Sequence, residues 1–153
     1  MSIKHIPGLF LLMFLTSVCF VCCDAIEPEI PPYIISKPES KIGTLPGYYQ
    51  FAGVEFDFFN ATTKDISGIN ISFMVYDSIT KKNPLIGSNI ISSSYSGGLL
   101  RNTSKKMIIC LDKYMYVAPD EPYLIDFFYI SKISYSDGSQ WEDSNGTYFT
   151  RSY

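Results

Sequence analysis

The chain has 153 residues, a net charge of −3 at pH 7 and an aromatic share of 16%. All fifteen acidic residues lie beyond residue 23, so no basic face for nucleic acid is expected. The only histidine is His5. A mature protein that has lost residues 1–23 therefore has no imidazole, which excludes Ser-His-Asp and Cys-His nucleophilic sites as well as Cys/His zinc sites.

An export signal is predicted at the N-terminus. Lys4 precedes an apolar run of about fourteen residues from Gly8 to Val21, and small or polar residues follow it. The run is shorter than the roughly twenty residues of a helix that crosses a bilayer, which favours a cleaved signal over a permanent span. The sequence therefore predicts a signal peptide over residues 1–23 and an exported product.

Two fates are open for the cysteines at the end of this signal. The residues ahead of Cys23, Phe-Val-Cys, loosely match the pattern of bacterial lipoprotein signals, which predicts a lipid on Cys23 and a membrane anchor. An ordinary signal peptidase would instead cut after Ala25 and remove three thiols with the peptide. The lone Cys110 cannot close a disulfide within the mature domain, so the exported fold depends on apolar burial.

The next segment is predicted to be a tether followed by strands. Prolines recur every few residues over 24–46, which predicts an extended tether with room for a first edge strand. Apolar and polar residues then alternate over 54–58 and again over 69–77, as in half-buried strands. The turn-rich segment 60–65 between them favours an antiparallel connection.

The second half of the chain repeats this pattern. Strands are predicted over Leu85–Ser93 and Lys106–Asp112. Loops are predicted over Ser94–Gly98, which is rich in serine and glycine, and over Tyr114–Pro122. Tyr123–Tyr135 is predicted as the longest strand. One face of that strand is expected to carry Ile125, Phe127, Tyr129, Ile133 and Tyr135.

A hairpin is predicted after this strand, at Asp137-Gly138. A two-residue turn would place Trp141 opposite Ser134, on the polar face. A three-residue turn with Gly138 in the left-handed conformation places Trp141 opposite Ile133 instead. Because burial of an indole stabilises the fold by about 1.5–3 kcal/mol, the bulged turn is preferred.

About seven strands and no sustained helical period predict an all-β fold with two packed antiparallel sheets over residues 47–153. A lipocalin-like barrel is the alternative, and it would require a more regular up-and-down pattern.

Several residues resemble a loose family of small bacterial immunoglobulin-like domains of exported proteins and lipoproteins. The shared cues are a strand that ends in an Asn-x-Thr turn, a Lys-x-Ile strand pattern, and a Tyr-x-Asp-Gly-Ser-x-Trp hairpin. They are carried here by Asn60, Thr62, Lys64, Ile66, Ile69, Phe73, Val75, Tyr135, Asp137, Gly138, Ser139 and Trp141. The resemblance implies an immunoglobulin-like sandwich that serves as an accessory or binding domain, with no catalytic residues to transfer.

The acidic residues do not predict a catalytic or metal site. Glu55 and Asp57 share one strand face, which is most simply the wet face of a sheet rather than a glycosidase pair. The segment Asp137–Asn145 is rich in oxygen ligands, but Trp141 stands where an EF-hand loop needs Asp or Asn, and a hairpin explains the same residues. We therefore expect no cofactor, no metal and no catalytic residue.

Glycan acceptors and aromatic loops give the remaining candidates. In a eukaryotic secretory protein, the four Asn-x-Ser/Thr sequons would carry surface glycans. They begin at Asn60, Asn70, Asn102 and Asn145. Aromatic residues cluster outside the clearest strands, where planar rings could stack on sugars or contact a protein. They are Tyr48, Tyr49, Tyr114, Tyr116, Tyr148 and Phe149.

Together these features predict a non-enzymatic, exported, lipid-anchored β-sandwich that acts as a binding or structural module at the cell envelope. Its expected partners are a protein or a glycan, and the membrane through Cys23. The alternatives are a carbohydrate-binding accessory domain and a secreted, N-glycosylated eukaryotic protein.

Overall fold

The structure is a computed structural model that describes residues 30–43 and 51–153. Within these residues the chain forms eight strands and one short 3-10 helix. In chain order they are β1 (Tyr33–Ile35), β2 (Glu39–Ile42), β3 (Ala52–Asn60), β4 (Ile66–Tyr76), β5 (Ile90–Leu99), β6 (Ser104–Cys110), η1 (Asp112–Tyr114), β7 (Leu124–Tyr135) and β8 (Gln140–Glu142). The signal peptide and Cys23 lie outside the described residues.

The strands form two antiparallel sheets. In the first sheet β3 pairs with β6 along one edge, while its other edge is shared by β1 and β2. The second sheet has the order β5-β4-β7-β8. We call the end of the sandwich where the described chain begins the proximal end. The opposite, distal end carries loops 77–89 and 111–123.

Apolar side chains on alternate residues fill the space between the sheets. Phe56 of β3 meets Phe128 of β7 edge to face with ring centroids 4.8 Å apart, and Phe73 of β4 lies 5.5 Å from the same ring. Ring contacts of this kind add to the gain from apolar burial. The prediction of an all-β sandwich with two packed antiparallel sheets is confirmed.

The predicted tether, residues 24–46, differs from what the structure shows. It is described only over residues 30–43, and there it contributes β1 and β2 to the first sheet. Tyr33 pairs with Asn60, and its side chain is buried in the core. The sandwich therefore includes Tyr33, fourteen residues before the predicted boundary at residue 47. The first edge strand that the prediction allowed for corresponds to β1, and β2 adds a second, with Pro38 between the two ladders.

The predicted loop Ser94–Gly98 is wrong, because these residues belong to β5. Pairing with β4 extends over β5 as far as Leu99. The predicted strand over Leu85–Ser93 correspondingly begins only at Ile90. Ladder hydrogen bonds to a neighbouring strand outweigh the weak strand preference of serine and glycine.

The predicted inward face of β7 is wrong in its middle. Ile125 is buried as expected, but the structure buries Phe128 and Ile130 in place of Phe127 and Tyr129. The alternation therefore shifts by one residue after Ile125.

Two bulges in β7 explain this shift. The pairing with β4 gains one extra residue next to Phe127, which has a left-handed backbone with φ 48°. A second extra residue, Ser131, restores the original phase, so that Ile133 and Tyr135 point inward as predicted. Each bulge moves the following side chains to the opposite face.

The bulged hairpin is confirmed. Gly138 has φ 85°, and Trp141 pairs with Ile133. The indole is partly buried and packs against the core, with Tyr33 edge to face at 5.5 Å.

Candidate functional site

The four predicted glycan acceptors have different environments. Asn70, Asn102 and Asn145 are exposed. Asn60 is 0% exposed, and its amide nitrogen lies 2.9–3.4 Å from the carbonyl oxygens of Lys64, Leu99 and Leu100. The prediction of a glycan on Asn60 is corrected, because this fold leaves no room for a sugar there. N-glycosylation of the other three stays a prediction.

Asn60 instead joins three parts of the proximal end. Its side-chain oxygen accepts hydrogen bonds from the backbone N–H and the hydroxyl of Thr62 at 3.1 and 2.7 Å. Its backbone carbonyl accepts a bond from the N–H of Asn102. The Asn-x-Thr sequence is therefore used as a turn anchor.

The acidic residues of β3 lie apart from those of the distal loop 111–123. Glu55 lies on the outer face of the first sheet and pairs with Lys106 at 3.1 Å. Asp112 accepts hydrogen bonds from the backbone N–H groups of Phe51 and Ala52 at the start of β3. Asp120 and Glu121 lie in the distal loop 111–123.

The oxygen-rich segment 137–145 is divided between two roles. The ion pair with Lys64 at 2.9 Å lowers the pKa of Asp137. Asp143 is buried and accepts hydrogen bonds from the backbone N–H groups of Thr147 and Tyr148. Burial raises the pKa of Asp143, but these bonds outweigh that effect and lower it overall. Within the described residues, no group of three or more His, Cys, Asp or Glu could hold a metal ion.

The predicted aromatic candidates are spread over the molecule. Tyr48 and Tyr49 lie outside the described residues. Tyr116 is 84% exposed at the distal end, while Tyr148 packs on Trp141 with ring centroids 6.1 Å apart. Phe149 is partly exposed beside β7.

A hollow of about 500 Å³ lies at the distal end, where β4 ends and β7 begins. Tyr76 and Leu124, which pair directly across these two strands, form part of its wall. The hollow is lined by Tyr76, Lys81, Leu124, Asp126 and Tyr153. We call it the tyrosine hollow.

The C-terminal segment supplies one wall of the tyrosine hollow by running beside β7. The backbone groups of Phe128 and Thr150 exchange hydrogen bonds of 2.9 and 2.8 Å. Ser152 adds a bond from its N–H to the carbonyl of Ile125 and accepts one on its hydroxyl from the N–H of Ile125. These bonds fix Tyr153 over the start of β7.

The side chain of Asp126, on β7, also holds the C-terminal segment in place. Its carboxylate accepts hydrogen bonds from Arg151 Nε at 2.7 Å, Tyr153 Oη at 3.0 Å and the N–H of Phe127 at 2.7 Å. Burial raises the pKa of Asp126, but the bonds from Arg151 and Tyr153 outweigh this and lower it overall. The same bond to Asp126 raises the pKa of the Tyr153 phenol.

The first bulge in β7 completes this arrangement. It turns Phe127 outward, where its ring centroid lies 4.9 Å from that of Phe149 and 5.3 Å from that of Tyr129. Gly146 passes under the ring of Phe127, since a Cβ there would lie 2.7 Å from Cζ. The bulge therefore places Phe127 against Phe149 and Gly146, and these contacts hold the C-terminal segment on the outer face of β7. Bulges near functional sites often redirect a side chain in this way.

Lys81 enters the hollow from loop 77–89. Asp77 shapes this loop by accepting hydrogen bonds from the N–H groups of Ile79 and Thr80. Lys81 has a left-handed backbone with φ 59°, and its ammonium donates to the carbonyl of Ser78 at 2.7 Å. The hollow thus combines planar rings, an aliphatic surface, an ammonium group and a carboxylate held by a guanidinium.

A second distal surface is apolar. Ile86, Tyr116 and Val117 are 42%, 84% and 76% exposed and border a hollow of about 430 Å³. The N–H of Ile86 donates to the carbonyl of Tyr114 at 2.8 Å, which holds the two loops together. We call these three side chains the distal apolar cluster.

The sequence alone did not indicate the tyrosine hollow. Its residues come from β4, loop 77–89, β7 and the chain end, and no local motif links them. The one available signal was Asp126, the only acidic residue within the longest predicted strand.

Comparisons with known proteins support the fold. No protein-family model matches the chain, and no curated protein does. The chain is similar to a hypothetical protein from Peptoclostridium difficile 630 of known X-ray structure, with 12% identity and a TM-score of 0.56. The match covers 76% of this chain and 88% of the other. In the described part of the chain, no helix has the length and apolar character of a membrane span.

Proposed function

We propose that this protein is a non-enzymatic, exported, lipid-anchored binding module of the cell envelope, and that the tyrosine hollow binds carbohydrate. The observation that carries the proposal is the composition of the hollow. Tyr76, Tyr153 and Leu124 offer apolar surfaces for the C–H faces of a sugar ring, while Asp126 and Lys81 offer hydrogen-bonding groups at its rim.

The position of the hollow suits a displayed module. The described chain begins at the proximal end, and the hollow lies at the distal end. A lipid on Cys23 would therefore be joined to the sandwich at the end opposite the hollow.

A glycan titration tests the carbohydrate proposal. The protein would be mixed with cello-oligosaccharides, chito-oligosaccharides, oligogalacturonides and soluble peptidoglycan fragments, and its NMR resonances followed. We expect one class to shift resonances of Tyr76 and Leu124 saturably, and Tyr76→Ala to abolish the shifts. Tyr116→Ala, at the other distal surface, is the matched control and retains binding. No shift with any glycan, or unchanged binding in Tyr76→Ala, contradicts the proposal.

The intact mass of the protein purified from its natural source tests the anchor. Acylated Cys23 adds the mass of the lipid, whereas cleavage after Ala25 leaves an unmodified chain that begins at Ile26. A mass increase by hexose units, removed by a glycosidase, would instead support the secreted, N-glycosylated alternative. Either of the last two results would refute the lipid anchor.

The distal apolar cluster favours a second candidate function, contact with a protein partner. Monomeric proteins rarely expose large apolar side chains side by side without a role in binding. A photoreactive residue at Val117 would form one specific cross-link in producing cells, and the same residue at Arg101, on the proximal end, would not. Equal cross-linking from both positions would count against this candidate.

A further inference from the structure

The sandwich is open along the side where β5 and β6 face each other. A groove of about 200 Å³ enters the molecule between these strands. Ile71, Met107 and Ile109 from the core lie at its base, and Ser93 and Tyr95 form the wall on the β5 side.

The sequence of β5 accounts for the groove. Ile91 and Leu99 at its ends point inward and are buried. The inward positions between them are Ser93, Tyr95 and Gly97, which are only half-buried. Ser93 and Gly97 are too small to fill the space that Ile and Phe fill elsewhere in the core, and the Tyr95 side chain reaches Lys105 at the rim.

Both strands that border the groove have an open edge. Among the described strands, β5 pairs only with β4, and β6 pairs only with β3. Exposed edge strands are normally short, charged or interrupted by proline. The ten residues of β5 contain no charged residue and no proline. Over Ile90–Ser96, ahead of the register shift with β4, this edge lacks the usual protection against pairing with another strand.

The hydrogen-bond phase of β5 shows which amides face outward. The N–H of Val75 donates to the carbonyl of Asn89, so these two residues form a hydrogen-bonded pair. In an antiparallel ladder every second pair is hydrogen-bonded, which makes Ile91 and Ser93 the next residues of β5 whose backbone groups point towards β4. The backbone groups of Ser92 and Ser94 therefore point away from β4, towards a further strand.

The rim of the groove is basic. Lys105 and Lys106 line it, and no carboxylate does. Lys105 lies over the ring of Tyr95 at 4.9 Å and donates to its hydroxyl, while Lys106 pairs with Glu55 outside the groove. In a chain of net charge −3, this local charge favours an acidic partner.

We infer that the open edge of β5 binds an extended acidic segment of a partner protein as an additional strand of the second sheet. Backbone groups of the segment pair with those of Ser92 and Ser94. Apolar side chains at alternate positions enter the groove over Ile71 and Met107, and a carboxylate meets Lys105. This is the strand-addition mode of peptide recognition. The inference is independent of the tyrosine hollow and of the distal apolar cluster.

Selection of peptides on the full-length protein tests the inference. Random peptides long enough to cover β5 would be displayed, selected and synthesised, and their contacts mapped by amide hydrogen exchange. We expect enriched peptides with alternating apolar residues and at least one acidic residue, and slower exchange at Ser92 and Ser94. No enrichment, or protection elsewhere without change at these two amides, overturns the inference.

Two variants with a matched control separate binding at the groove from a general loss of structure. Lys105→Glu reverses the rim charge, and we expect it to weaken the selected peptides by about tenfold. Ser93→Ile fills the groove with an apolar side chain and is expected to weaken them equally while the protein stays folded. Lys37→Glu makes the same charge change on an exposed residue at the opposite edge of the first sheet and leaves binding unchanged. Equal effects of Lys37→Glu and Lys105→Glu would refute a site at the groove.

Discussion

The inverted order of Phe127 and Phe128 can be tested by comparing their alanine variants. Phe128 is fully buried and its ring contacts Phe56 and Phe73, so Phe128→Ala should cost about 3–5 kcal/mol of unfolding free energy. Phe127 lies on the outer face and contacts Phe149 and Tyr129, which suggests a cost of about 1–2 kcal/mol for Phe127→Ala. Simple alternation predicts the opposite order.

Urea unfolding followed by the fluorescence of the single tryptophan, Trp141, provides the assay. With a slope of about 2 kcal/mol per molar urea, Phe128→Ala should lower the midpoint by about 1.5–2.5 M. Phe127→Gly adds a check on the bulge, because glycine suits the φ of 48° and should be no less stable than Phe127→Ala. If Phe127→Ala is as destabilising as Phe128→Ala, the bulge is misplaced and the reasoning fails.

Three further substitutions probe the anchors of the fold. Asn60→Ala should destabilise the protein by about 2 kcal/mol, because it removes the buried amide that donates to the carbonyls of the proximal end and accepts two hydrogen bonds from Thr62, whereas Asn102→Ala should cost much less. Thermal unfolding of both variants would measure this, and equal losses would refute the anchor. Asp126 has a lowered pKa in the folded protein, so its stabilising effect is present above the unfolded pKa and is lost as the pH falls through the folded value. Asp126→Asn should therefore be less stable than the wild type at neutral pH, with the difference shrinking in acid, as unfolding curves at several pH values would show; a constant difference would contradict this. Burial raises the pKa of Tyr33 to about 12 because the core disfavours the phenolate, so the folded state loses stability as the pH rises from the unfolded pKa near 10 through 12. Tyr33→Phe should remove this alkaline loss, and unchanged alkaline unfolding in the variant would disprove it.

Most strands could be predicted because they follow simple alternation. β3, β4 and β6 read directly as period-two patterns, and the turn at Gly138 followed from the preference for burying Trp141. These features depend on residues close together in sequence, which is the range over which patterns are informative.

The errors arise where distant pairing overrides local preference. β5 is a strand despite its serines and glycines because β4 offers it a ladder, and β1 joins the first sheet because β3 has a free edge beside it. The bulges in β7 are set by the register with β4 and leave no mark in the local pattern. The tyrosine hollow could not be predicted for the same reason. Its wall forms only because the first bulge sets the direction of the side chains at the start of β7 and because the chain end returns to place Tyr153 beside Asp126.

The incorporation of β1 into the first sheet has a mechanical consequence. β1 runs from the proximal end towards the distal end, and its three residues pair with the last three of β3. A pull applied to Pro31 away from the proximal end acts along the length of β1 and loads these hydrogen bonds together in shear rather than peeling them open one after another. Under such a force, all the hydrogen bonds between β1 and β3 must break together. The buried ring of Tyr33 must also leave the core before the strand can move.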